Sequence, residues 1–233
     1  KGNNTDGNFF IKDAIKKGSE IIITDKFKIN GWKNNVLFLN DKNPRNLLAK
    51  FSSKIFNKKP NNLIGVTGTN GKSSIANFYF QILTLNRSKV ASIGTLGVTG
   101  LKVKKNFSNT TFDTIQINKI LKKLKERRIE NVILEASSHG LNQNRLDGLE
   151  FDIGIFTNFT RDHLDYHKTY KNYLNSKLIL FKKLLKKKSY AIFDDDLKIS
   201  SNLNRITKSN KIEKFTIGNN KSSFTVLEQQ FLK

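Results

Sequence analysis

Apolar positions over residues 1–58 come in short, separate bursts. In "DGNFFIKDAIKKGSEIIITD", Phe10, Ala14 and Ile15 recur at helical spacing until Gly18, and the β-branched run Ile21–Thr24 follows. "NNVLFLND" reads as a second short strand and "PRNLLAKFSSKIF" as a second helix. These elements make a small α/β unit without a catalytic constellation. The turn-rich "NKKPNN" at 57–62 reads as a linker, which puts a domain boundary at 58/59.

From there the pattern alternates between the two periodicities. Strands are expected at 63–67, 90–94, 131–135, 152–157 and 190–193, with helices at 73–85, 114–127 and 170–187. The fold class implied for 59–233 is α/β: a mostly parallel sheet of P-loop type with helices on both faces. In such sheets ligands sit at the carboxyl ends of strands.

One charged residue breaks the last helical pattern. At about 100° per residue, Tyr170, Leu174, Leu178, Phe181 and Leu185 share a face, while Lys171, Lys182, Lys183 and Lys186 lie towards the other. Lys177 falls inside the apolar arc, where an ammonium is costly unless it is paired or snorkels to the edge. Periodicity alone favours snorkelling.

Composition narrows the classes. The chain has 233 residues, 18 of them Phe, so it can bury a core. There is no Cys, which excludes disulfides and thiolate metal sites and makes the cytoplasm the default compartment. No apolar run reaches the about 18 residues needed to span a membrane, and no signal peptide opens the chain. The absence of Met implies a piece of a longer protein. A net charge of +23 invites a nucleic-acid-binding reading. The lysines are scattered among many Asn and Ile, however, and no nucleic-acid-binding motif accompanies them, so no specific nucleic-acid partner is expected.

The strongest local signal is "LIGVTGTNGKSS". A buried strand runs into Gly68, Thr69, Asn70 and Gly71, then Lys72, Ser73 and Ser74 open a helix. Glycines let backbone N–H groups close around phosphate oxygens, and the helix start adds partial positive charge. Lys72 can reach the β/γ-phosphates and the Ser73 hydroxyl can ligate Mg²⁺. The strict spacing asks for Gly at position 66, where this chain has Val66. In "NVILEASSHG", Glu135 ends an apolar run. By itself it reads equally as a solvated strand terminus; paired with the loop it is the acidic partner for Mg²⁺.

"GVTGTNGKSS", "NTTFDT", "LEASSHGLNQNRLDGLEFD" and "FTNFTRDHLDYH" occur in this order, and together they resemble the Mur ligase family, most closely its MurE type. The opening segment is similar to the end of that family's N-terminal, UDP-binding domain, and the resemblance runs to about residue 195. It implies an ATP-dependent amide ligase of peptidoglycan precursor synthesis. That enzyme would phosphorylate a carboxylate of UDP-MurNAc-L-Ala-D-Glu and add meso-diaminopimelate or L-lysine. It would use ATP and two Mg²⁺ ions and act as a monomer.

Motif by motif, the resemblance places Gly68–Ser74 at the nucleotide and Ser73 and Glu135 at the first Mg²⁺. Asn109, Thr110, Thr111, Ser137, Gln143 and Arg145 fall at the muramoyl-peptide. His163 falls at the second Mg²⁺. There Lys177 would react with CO₂ and become a carbamate, which makes Lys72, His163 and Lys177 the catalytic set. His139 and His167 stay open between loop structure and site support. Phe112 stands where the family usually has Pro, so the loop's shape is expected to differ. The family's C-terminal domain and the uridine-binding start are expected to lie outside this chain, which would then be inactive alone. Another ligase of the superfamily, a MurF type or a folylpolyglutamate synthase, is the first alternative, and a basic nucleic-acid-binding module the second.

Overall fold

The computed structural model describes residues 6–26, 30–100, 109–218 and 222–225. These fall into two compact units, Lys1–Leu48 and Ala49–Lys233.

In the first unit a 3₁₀ turn, Gly7–Phe10, leads into α1 (Ile11–Lys16), which Gly18 ends with φ +90°. Strand β1 (Ile21–Thr24) pairs in parallel with β3 (Val36–Asn40). The short β2 (Gly31–Lys33), not legible in the sequence, pairs antiparallel with β3.

Helix α2 (Pro44–Ile55) forms as expected, but the two units divide inside it, ten residues before the expected boundary at 58/59. The second half of α2 explains the difference. Ala49 is fully buried, the Ser52 hydroxyl donates to the Thr114 carbonyl, and the Ser53 hydroxyl donates to the Gly148 carbonyl. Those contacts tie residues 49–55 to the larger unit.

That unit is built on an eight-stranded sheet. Its strands are β4 (Asn62–Thr67), β5 (Val90–Gly94), β6 (Gly97–Val98), β7 (Asn131–Glu135), β8 (Phe151–Phe156), β9 (Leu185–Asp194), β10 (Glu213–Gly218) and β11 (Phe224–Thr225). The order is β11-β10-β9-β8-β4-β7-β5-β6, parallel except for the β5–β6 hairpin. Along β4, Leu63 joins one core cluster while Ile64 and Val66 join another. Along β7, Val132 and Leu134 face the first cluster and Ile133 the second. Successive side chains thus feed opposite faces, and both faces need cover.

Helix α3 (Lys72–Leu85) supplies one cover through Ala76. Helix α4 (Thr114–Glu126) supplies the other through Ile117, Leu121 and Leu124, and the Asp113 carboxylate caps it by accepting from the N–H groups of Ile115 and Gln116. Further on, α5 (Ser138–Asn142), α6 (Leu164–His167) and α8 (Ser200–Asn210) complete the helices.

The expected helix over 170–187 is shorter. Helix α7 spans Tyr170–Ile179, its last turn widens to a π-helix over Leu180–Leu184, and Leu185 already belongs to β9, paired with Phe151. Lys186, Lys187 and Lys188 fall in the irregular stretch of β9 between the Leu185–Phe151 and Tyr190–Ile153 pairs, and the wide turn rotates the register. The buried face therefore runs through Tyr173, Lys177, Leu180 and Leu184, while Tyr170 is 46% exposed.

The topology leaves a crevice. After β4 the chain crosses to β5, returns to β7 beside β4, then places β8 on β4's other side. Register sets Val66 against both Glu135 and Ile155. The carboxyl ends of β4, β7 and β8 thus lie side by side at the switch point.

Candidate active site

Each central strand delivers its functional residues where it ends. From β4 the chain turns through Gly68 (φ +147°) and Gly71 (φ +81°) into α3. A Cβ at Gly68 would stand 1.8 Å from the Thr157 hydroxyl, so only glycine fits. Helix α3 has no side-chain cap at its start, so its first N–H groups lack the usual neutralising acceptor there. The Lys72 ammonium folds back onto its own loop, donating to the Gly68 and Thr69 carbonyls at 3.0 and 2.7 Å. Burial lowers its pKa, opposed by the negative charges of Glu135 and Asp162.

Glu135, at the end of β7, is 2% exposed. It is no solvated strand terminus. Its carboxylate accepts from the Ser73 hydroxyl at 2.9 Å and from the Thr95 N–H and hydroxyl at 3.0 and 3.2 Å. Gly94 makes the space: a Cβ there would stand 2.0 Å from Glu135 Oε1. A hydroxyl and a carboxylate therefore adjoin at the loop, a donor pair suited to Mg²⁺. Among the described residues no three His, Asp or Glu side chains converge closely enough to hold a metal by themselves.

Beside this pair opens a cavity of about 320 Å³, lined by Lys72, Asn109, Thr110, Thr111, Ser137, Ser138, His139, Arg145, His163 and Lys177. Most of the residues expected at the muramoyl-peptide and the second metal ion therefore face one space. The Thr111 hydroxyl donates to the Glu135 carbonyl and accepts from the Ser137 N–H, which ties the loop to the end of β7. Ser137 caps α5. Phe112, the departure from the family pattern, is buried in the core and anchors this loop. Gln143 does not line the cavity. Its amide oxygen accepts from Arg145 Nε and Nη2 at 3.2 and 2.8 Å, while Arg145 Nη1 donates to the Thr111 carbonyl. Gln143 thus holds the arginine that the cavity displays.

Lys177 is 1% exposed, so it does not snorkel. Its Nζ donates to the Gly68 carbonyl at 2.6 Å and lies 4.4 Å from the centre of the Tyr173 ring. Burial and the nearby Lys72 lower its pKa from the usual 10.5 to about 7, against the pull of Asp162.

The three histidines come together. His139 lies 4.9 Å from His163 and 5.4 Å from His167, ring centre to ring centre. His163 takes the left-handed conformation at φ +50°, which turns it from the start of α6 towards the cavity. Burial, reinforced by the neighbouring histidines, lowers the pKa of His167 from 6.5 to about 4. The Ser176 hydroxyl donates to the Asn172 carbonyl, so His167 Nδ1 must be the donor to Ser176 Oγ. Its Nε2 is then an unprotonated acceptor, and it finds no hydrogen-bond partner among the described residues.

Sequence reasoning missed the strap that follows β8. Thr69 Oγ1 receives the Thr160 N–H and the Tyr173 hydroxyl, and the Thr157 hydroxyl donates to the Asn70 carbonyl. "TNFT" carries no signal of its own. Only its position, at the end of a strand beside the loop strand, could have raised it.

The family described as the Mur ligase middle domain matches residues 66–232. The chain is 41% identical over 222 residues to the UDP-N-acetylmuramoyl-L-alanyl-D-glutamate--2,6-diaminopimelate ligase of Rickettsia montanensis, covering 94% of this chain and 46% of that protein. It is 39% identical over 196 residues to the protein of the same name from Rhizobium meliloti (strain 1021), covering 84% and 40%. A solved structure bearing that name superposes with a TM-score of 0.76 at 26% identity, over 92% of this chain and 44% of the other. The MurF ligase of Thermotoga maritima, in complex with ADP, shares the fold at a TM-score of 0.60 and 17% identity, over 100% and 49%. The chain spans just under half the length of these relatives.

Proposed function

The chain belongs to the Mur ligase family, and from that premise we propose that it carries the nucleotide and acyl-phosphate site of a MurE-type, ATP-dependent amide ligase of peptidoglycan precursor synthesis. The observation that carries this reading is the 2.9 Å contact between Ser73 and Glu135, beside a cavity into which Lys72, Arg145, His163 and Lys177 all face. A phosphate loop, an acidic partner and a cationic carboxylate clamp thus share one crevice.

In the proposed reaction the γ-phosphoryl group of ATP passes to a carboxylate of UDP-MurNAc-L-Ala-D-Glu. The amino group of meso-diaminopimelate, or of L-lysine, then attacks the acyl phosphate and expels phosphate as the amide forms. The N–H groups at the start of α3 hold the phosphates. Lys72 exchanges the Gly68 and Thr69 carbonyls for phosphate oxygens as the nucleotide enters. Arg145, its guanidinium held in place by Gln143 and the Thr111 carbonyl, presents a fixed positive charge to the peptide's carboxylate. Asn109, Thr110, Thr111 and Ser137 line the peptide's path.

Ser73 and Glu135 fit a first Mg²⁺, and His163 with a carbamylated Lys177 a second. Bound there, the ions neutralise charge on the transferring phosphoryl group. Asp162 Oδ2 lies 3.4 Å from His163 Nε2, and carbamylation of Lys177 would add a second anionic oxygen donor beside that ring. A buried lysine with its pKa drawn to about 7 is substantially neutral. Its amine lone pair can attack CO₂, forming a C–N bond and losing a proton to leave an anionic carbamate.

The test is turnover by the full-length protein with ATP, UDP-MurNAc-dipeptide and each candidate amino acid in turn. Phosphate release that requires the dipeptide and one diamino acid is expected. Release with folate or with UDP-MurNAc-tripeptide instead would overturn the MurE reading.

A further inference from the structure

The strap after β8 holds the phosphate loop through a pairing that the family reading does not assign. The N–H of Asn70 donates to Asn158 Oδ1 at 2.9 Å, and Asn158 Nδ2 donates back to the Asn70 carbonyl at 3.2 Å. The backbone joins in, with the Thr69 N–H donating to the Asn158 carbonyl at 3.0 Å. The amide orientation is fixed by its partners. Flipped, Asn158 would set NH₂ against N–H and oxygen against oxygen.

We propose that Asn158 is the positioning residue of the phosphate loop, turning the N–H groups of Thr69 and Asn70 away from the anion so that those from Gly71 onward face it. This rests on the reading of the loop as a nucleotide site. A peptide N–H occupied by Asn158 is unavailable to a phosphate, while the start of α3 carries no side-chain cap. The strap thus decides which donors the ligand meets. Asn158 touches no reacting atom in this arrangement; it acts through Asn70. Only a side chain offering both an acceptor and a donor at that distance reproduces the pairing. An aspartate does so when protonated and loses the donor when ionised.

The experiment is calorimetric binding of Mg·ADP to the full-length protein, as wild type, Asn158→Ala and Asn158→Asp, between about pH 4 and about pH 8, with thermal midpoints measured alongside. Asn158→Ala is expected to bind about tenfold more weakly at every pH, the loss of one to two hydrogen bonds. Asn158→Asp is expected to bind weakly at the upper pH and to recover part of the way towards wild type at the lower one, where about half of an ordinary aspartate is protonated. If Asp recovers only to the Ala level, charge repulsion explains its defect and the proposal fails. It fails also if Ala lowers the thermal midpoint while binding Mg·ADP like wild type. Should Ala not fold, the pH reversal of Asp against wild type decides alone. Absence of Mg·ADP binding by the wild type would instead overturn the nucleotide reading itself.

Discussion

Lys177 Nζ lies 2.6 Å from the carbonyl oxygen of Gly68, a residue 109 positions earlier in the chain. The Lys72 ammonium reaches the same oxygen at 3.0 Å. Two like charges thus share one acceptor at the head of the phosphate loop, which favours the neutral form of the more buried one.

Removing that amine separates its chemistry from its packing. Lys177→Met is expected to cut turnover at least about 100-fold, the usual cost of a lost electrostatic group at a phosphoryl-transfer site. It should leave the fold intact, because an apolar chain of similar length replaces a buried charge. Intact mass of wild type in bicarbonate should show the added CO₂, and Lys177→Met should lack it. Equal masses, or a fully active Met variant, would sink the carbamate.

The same lysine predicts a pH trend for unmodified protein. Its folded pKa of about 7 lies below the ordinary 10.5, so the unfolded chain binds more protons between these values. Stability contributed at this site must therefore rise as pH climbs from about 7 towards 10.5, and the penalty is fully present below 7. In carbonate-free buffer, the denaturation free energy of wild type minus that of Lys177→Met should increase across that window. Parallel curves would contradict the buried-amine assignment.

His167 gives the complementary trend. Its pKa of about 4 in the fold, against 6.5 ordinarily, means that the unfolded state takes up the proton first. Stability is lost as pH falls through that interval. Relative to His167→Phe, wild type should weaken between about pH 6.5 and 4. Nitrogen NMR should find the Nδ1–H tautomer at neutral pH. The Nε2–H tautomer would refute the hydrogen-bond assignment through Ser176.

Gly94 reports on Glu135. Its backbone tolerates any residue, but a Cβ would meet the carboxylate. Gly94→Ala is expected to displace Glu135 from Ser73 and to weaken Mg²⁺-dependent nucleotide binding about 10- to 100-fold, as does Glu135→Gln. Binding without Mg²⁺ should change little. A Gly94→Ala protein with unaltered Mg²⁺ dependence would show that the pair does not hold the ion.

Arg145→Lys keeps the charge and loses the fork that grips Gln143 and the Thr111 carbonyl. KM for the muramoyl-peptide should rise about tenfold or more with KM for ATP unchanged. A rise confined to ATP would place Arg145 on the wrong ligand.

Much of this architecture was legible because it rests on local rules. Val90–Gly94 and Asn131–Glu135 form the expected strands to the residue, since short, mostly apolar runs between polar, turn-forming stretches have few other solutions. The turn from β4 into α3 was legible for the same reason: Gly68 and Gly71 meet a backbone demand written into neighbouring residues. Strand β2 escaped because three residues, none of them buried, give no period. The lysines at 186–188 misled because their helical preference is worth tenths of a kcal/mol, too little to carry the helix past the pairing of Leu185 and Tyr190 with β8.

The sequence by itself determined which residue types exist to do chemistry, and roughly where along the chain they lie. The tertiary structure decided their surroundings. It buried Lys177 where periodicity favoured the solvent edge, and it gave Glu135 to Ser73. It also turned Gln143 into a support for Arg145 and set Asn158 against Asn70. The physical reason is range: helix and turn preferences act over a few residues, whereas burial and hydrogen-bond partnership depend on strands brought together from across the chain.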